Sequence, residues 1–118
     1  MTDKTPKLLV DALGAIESAQ EFVAGCSLDH YSADKMRRSA VERQLEILGQ
    51  ACIRLAKLEP ALIDMVAGLK LAIDLCNRVI PDYDSVDDEL VFLTVTVELD
   101  TLKNSLTRLM ATRGYVAS

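Results

Sequence analysis

Aliphatic side chains recur at three- and four-residue intervals along almost the whole chain, the spacing that lines one face of an α-helix. Leu8, Leu9, Ala12, Leu13, Ile16, Ala19, Phe22 and Val23 form the first such stripe, with Asp11, Glu17, Gln20 and Glu21 between them, and predict a helix over about 6 to 24. Gly25 stops it, and Cys26 to Asp34 reads as a polar connection. Met36, Ala40, Val41, Leu45, Leu48, Cys52 and Leu55 make the stripe of a second helix, from about 34 to 57. Pro60 suits the first position of a third helix, where its missing N–H would have been unpaired anyway. Leu62, Ile63, Val66, Leu69, Ala72, Ile73, Cys76 and Val79 carry that helix to about Val79, with Gly68 as the place for a kink and Pro81 as the break.

A fourth helix follows an acidic loop. Ser85 with Asp88 three residues on resembles a capping box, and Asp87, Asp88 and Glu89 suit the positive end of a helix dipole. Leu90, Val91, Leu93, Val95, Val97, Leu99, Leu102, Leu106 and Leu109 run to about Met110. The β-branched run from Val91 to Val97 is also strand-like, but length and caps favour helix. Four long helices with short connections predict one all-α domain over 1–118, an up-down four-helix bundle. Aromatic residues make up only 4% of the chain, which favours packed helices over a β-sandwich.

The net charge of −5 repels phosphate backbones, so contact with nucleic acid would need a local basic patch. Lys35, Arg37, Arg38 and Arg43 are the nearest thing to one, although solvated helix charge is the default explanation for them. Cys26, Cys52 and Cys76 lie 26 and 24 residues apart, which fits neither a CxxC motif nor a disulfide framework and points to reduced thiols in a core. No stretch has the length of a membrane span, and MTDKTPK leads into an amphipathic segment in place of an apolar signal core, so a cytoplasmic protein is expected.

Three stretches carry a family resemblance: AVERQLEILGQACIRL at 40 to 55, Pro60 to Leu69, and CNRVIPDYDSVDDELVF at 76 to 92. Together they resemble the HepT-like proteins of the HEPN superfamily. The second helix of that family ends in a Gly-Glu-Ala step, matched here by Gly49, Gln50 and Ala51. Its next helix carries Arg-Asn-x-x-x-His-x-Tyr ahead of an acidic run, and the window here reads Cys76, Asn77, Arg78, Val79, Ile80, Pro81, Asp82, Tyr83. The resemblance implies a small helical homodimer of the toxin–antitoxin type, with a metal-independent ribonuclease site built from Arg and His of both subunits. It also implies a small nucleotidyltransferase antitoxin as partner, which transfers AMP to the motif tyrosine, here Tyr83.

Two departures bear on activity. Cys76 stands at the motif arginine and Pro81 at the motif histidine. A thiol offers no fixed cation to a phosphate, and proline has no proton to exchange. Loss of the acid–base group alone lowers a rate by about 10²- to 10⁴-fold. Arg78 is two residues beyond the expected cation, about 200° round the helix. His30, the sole histidine, lies beside Asp29 and Tyr31 in the first connection, a position for a solvated or capping side chain. Asp82, Asp84, Asp87, Asp88 and Glu89 could hold magnesium, but acids at a helix start more often cap it, so no cofactor or metal is expected. Apolar residues of the fourth helix, Val91, Phe92 and Val95 among them, exceed one stripe, which supports a dimer. Three readings follow: an inactive HepT-like binding partner of a nucleotidyltransferase, a ribonuclease using Arg78, His30, Asn77 or Tyr83, and a non-catalytic helical adaptor.

Overall fold

In a computed structural model, residues 3–79 and 86–115 are described. Among them every regular element is helical. The first helix, α1 (Thr5–Val23), has Pro6 in its first turn, and the carboxylate of Asp3 accepts from the Thr5 N–H at 3.0 Å. Its predicted stripe is its buried face: Leu8, Leu9, Ala12, Leu13, Ile16, Ala19 and Val23 all lie in the core. The stretch expected to be a polar connection holds a short helix, α2 (Leu28–Ala33), because Ser27 caps it by accepting from the His30 N–H and Tyr31 is fully buried beneath it. Asp34 then caps α3 (Lys35–Leu58), accepting from the Arg37 N–H at 3.0 Å.

At a rise of 1.5 Å per residue α3 is roughly 36 Å long, and it is the spine of the fold. Val41, Leu45, Leu48, Cys52 and Leu55 bury its predicted stripe, and its pairing with α1 is the most extensive in the molecule. Burial of each such leucine contributes about 1.5–3 kcal/mol. Met36, expected in that stripe, is 84% exposed and stands beside Glu21 and Phe22 at the margin of the α1–α3 contact.

The third predicted helix is divided. Pro60 lies in a turn, its carbonyl accepting from the Ile63 N–H, ahead of the single turn α4 (Leu62–Met65). The chain is extended at Val66, and Gly68 has φ +88° before α5 (Leu69–Val79). A Cβ at Gly68 would lie 3.2 Å from the backbone N of Leu102, so both the left-handed backbone and the close pass of the last helix call for glycine there.

The fourth predicted helix is continuous but changes gauge, as α6 (Asp88–Leu93), a π-helical turn (Thr94–Glu98) and α7 (Leu99–Arg113). Its cap is Asp87, accepting from the Leu90 N–H at 3.1 Å; the Ser85 of the expected capping box lies outside the described residues. Thr94 and Thr96 donate back to the carbonyls of Leu90 and Phe92, both at 2.7 Å, which diverts the backbone from the α pattern. The Gln20 amide donates to the Val95 carbonyl at 3.4 Å and to Asp100 at 2.7 Å, tying the π turn to α1. Helix α5 packs on α3, α7 packs on α1 and α5, and α2 packs on α3 and α6, giving the all-α architecture expected.

Candidate functional site

Helices α3 and α5 cross closely at Gly49. A Cβ on that residue would come within 2.9 Å of the Cys76 Cβ, closer than real Cβ atoms approach. The absence of a side chain therefore sets the spacing of the two helices and brings the start of the Gly49-Gln50-Ala51 step beside Cys76 and Asn77. Between the helices is a cleft of about 100 Å³, with Glu46, Gly49 and Gln50 on one wall and Cys76 and Asn77 on the other. Two segments with 24 residues of sequence between them, both singled out from the family resemblance, thus share one small surface feature.

The chemistry of this cleft is poor. Cys76 is 3% exposed, and burial pushes its thiol up to about 12, so at neutral pH it is an uncharged S–H. Cys52 is buried nearby and is likewise pushed up to about 12, by burial and then by the proximity of Cys76. Both are free thiols, as the cysteine spacing led us to expect. Among the described residues no arginine, lysine or histidine lines the cleft and Glu46 is the only charged group, 2.9 Å from Arg43 on the preceding turn.

The other predicted site residues are not gathered here. Asn77 and Arg78 are exposed on α5, and Arg78 is not part of the cleft wall, as the angular offset from Cys76 requires. His30 is exposed on α2, and its backbone N–H donates to the Ser27 hydroxyl oxygen. Pro81 and Tyr83, with Ile80, Asp82, Asp84 and Ser85, lie outside the described residues. The basic residues at the start of α3 are largely engaged: Arg37 lies 3.6 Å from Asp34, Arg38 lies 3.5 Å from Asp88, and Arg43 pairs with Glu46. Lys35 remains exposed. Of the acidic run, Asp87 is the helix cap and Asp88 faces Arg38; no group of three or more metal-ligating side chains occurs among the described residues.

Val91 and Val95, expected to exceed the intramolecular stripe, are fully buried within the chain, and Phe92 packs on Tyr31. Leu93 and Val97, one turn apart, are the apolar residues of this helix left 46% and 57% exposed. No described helix is long and apolar enough to cross a membrane.

Sequence reasoning missed one basic cluster, Lys4, Lys7, Arg54 and Lys57, because its two halves meet only when α1 and α3 pair. Comparison with curated proteins and with solved structures returned no match. Residues 12–109 match the family model described as Ribonuclease HepT-like, and the chain belongs to that family.

Proposed function

We propose that this protein keeps the HepT-like scaffold and has lost the ribonuclease, acting in the cell interior as a homodimeric binding partner of a small nucleotidyltransferase-type protein. The observation that carries the reading is the cleft at Cys76. An uncharged, buried thiol stands there with no cationic neighbour in the cleft wall among the described residues. Phosphodiester cleavage without a metal needs charge stabilisation of the phosphate and a group that moves a proton, and Cys76 at the motif arginine and Pro81 at the motif histidine supply neither. Exposed Leu93 and Val97 offer apolar surface for a second copy to cover. Tyr83 aligns with the motif tyrosine and is the proposed acceptor of AMP from the nucleotidyltransferase, which a mass increase confined to the peptide containing it would reveal.

The test compares RNA cleavage by the purified protein with cleavage by the double variant Cys76→Arg, Pro81→His, with folding followed by circular dichroism and dimerisation by sedimentation. We expect an inert wild type and a double variant that cuts. Cleavage by the wild type at the turnover of an intact site sinks the proposed loss. Two inert, folded proteins would overturn the idea that these two replacements account for it.

A further inference from the structure

Helices α1 and α3 run antiparallel, so the first turn of α1 faces the last turns of α3. Lys4 and Lys7 from one end and Arg54 and Lys57 from the other meet around a single cleft of about 490 Å³, floored by Leu8 and Leu58. Leu58 is 49% exposed, and all four cations are exposed. Among the described residues only Lys7 of the four has an ion-pair partner, Asp11 at 2.8 Å. A chain of net charge −5 therefore concentrates positive charge around an apolar floor.

Helix stability does not account for the charges on α1. Lys4 is the N-cap residue and makes no side-chain cap, and Lys7 is in the first turn; no residue of that turn is acidic, although Asp3 holds the Thr5 N–H just before it and Asp11 pairs with Lys7. The cleft also continues along the helix pair. A second depression of about 280 Å³ shares Leu8, Asp11 and Arg54, adds Ile47 and Ala51 to the apolar floor, and has Gln50 and the paired Arg43 and Glu46 in its wall. From Ile47 to Leu58 the groove follows α3 for roughly 16 Å, about three turns. That is the footprint of a docked helix, long for a small anion. Among the described residues no aromatic side chain lines either depression, so they offer no stacking surface of the kind that unpaired nucleobases use.

We propose that this groove receives an acidic amphipathic helix of a partner protein. The apolar face of that helix lies on the half-buried Ile47 and the exposed Leu58, above the buried Leu8 and Ala51, and its carboxylates meet Lys4, Arg54 and Lys57, the helix-in-groove mode with complementary charge. The inference deepens the partner-binding half of the function proposed above and involves neither Cys76 nor Asn77. Its failure and that of the lost-ribonuclease reading are therefore separable: cleavage by the wild type leaves the groove intact, and an unoccupied groove leaves the cleavage comparison intact.

The experiment titrates the full chain into a fluorescent, end-capped peptide of about 18 residues with leucines at helical spacing flanked by glutamates. A peptide with lysine in place of every glutamate and a labelled oligouridylate serve as controls. We expect saturable binding of the acidic peptide that weakens with added salt, drops at least about tenfold in Arg54→Glu, Lys57→Glu, and is absent for the lysine peptide. Circular dichroism checks the fold of that variant, with Lys4→Gln, Lys57→Gln as the milder pair. No binding of the acidic peptide, unchanged binding in both folded variants, or equal binding of the lysine peptide overturns the proposal. Oligouridylate that displaces the peptide with the same variant sensitivity would make the groove a nucleic-acid surface. Self-association lost in the same variants would make the occupant a second copy. Either result also overturns it.

Discussion

Tyr31 is the bulkiest side chain that the fold encloses completely, and its hydroxyl has no hydrogen-bond partner among the described residues. Its ring packs obliquely on Phe92 with centroids 5.6 Å apart, so the phenol body joins α2 to α6 while its polar end is stranded. Burial raises the phenol above its ordinary range, and the charges of Glu42 and Asp88 raise it further. Glu42 is itself held above the usual carboxylate range, by burial and then by Asp88, with Arg38 opposing. An unpartnered buried hydroxyl costs about 1–3 kcal/mol, whereas an apolar isostere of the same shape does not. Tyr31→Phe is therefore expected to leave the Tm unchanged or raise it by a few degrees in thermal unfolding at neutral pH, at roughly 4 °C per kcal/mol for a domain near this size. A clear fall in Tm would mean that the hydroxyl is bonded in solution. None of this was legible beforehand, since Tyr31 sits in the polar stretch Cys26 to Asp34, where one aromatic residue among small and charged neighbours gives no periodic signal.

At the scale of elements, the helices that bury a broad aliphatic face were legible and the interruptions were legible only in part. The stripes of α1 and α3 specify their own partners, because two long apolar faces in one short chain have little else to cover them. The Val91–Val97 run reads as strand-like because β-branched residues dominate it. Folded, the same residues make a π turn, with threonine hydroxyls bonding back to the preceding turn and Gln20 of α1 donating to the Val95 carbonyl. That outcome depends on a side chain 75 residues away, which no local pattern contains. The α3–α5 crossing is similar: Gly49 is legible as part of a family motif, but its physical role comes from the Cys76 Cβ that faces it. Gly49→Ala should overpack this crossing and destabilise by about 1–3 kcal/mol in urea unfolding, despite alanine's better helix propensity. Cys76→Gly should relieve part of that loss in the double variant. A Gly49→Ala protein as stable as the wild type would show that the helices separate freely there, and that glycine does not set their spacing.

Across the whole molecule, one interaction closes the end of the bundle where α1 begins, α3 stops and α7 finishes. Glu59, the residue that caps α3, accepts two hydrogen bonds from the Arg113 guanidinium, both at 2.7 Å, and the Thr5 hydroxyl donates to it at 3.4 Å. Family membership and the all-α class could be read from the chain, but this three-way junction could not. Glu59, Arg113 and Thr5 belong to no motif and become neighbours only after three helices have packed, as do the cations of the α1–α3 groove. The Arg113 hydrogen bonds hold the Glu59 carboxyl below its ordinary range. A carboxylate with a folded-state pKa below its unfolded value contributes stability that is present above the unfolded value, near 4.5, and is lost as pH falls through the folded one. Both partners are partly exposed, so solvent screening limits the contribution to roughly 1 kcal/mol even with two-point geometry. Glu42 titrates with the opposite sign, its raised pKa weakening the fold as pH rises from the ordinary carboxylate range, so wild-type acid unfolding alone mixes the two effects. Measuring Tm against pH for wild type and Glu59→Gln isolates the junction. The variant should melt a few degrees lower at pH 7, and the gap should close as the pH drops below about 4.5. A gap that persists unchanged into acid would assign the loss to packing at the junction, and an absent gap at pH 7 would mean that solvation of the free carboxylate fully offsets the pair.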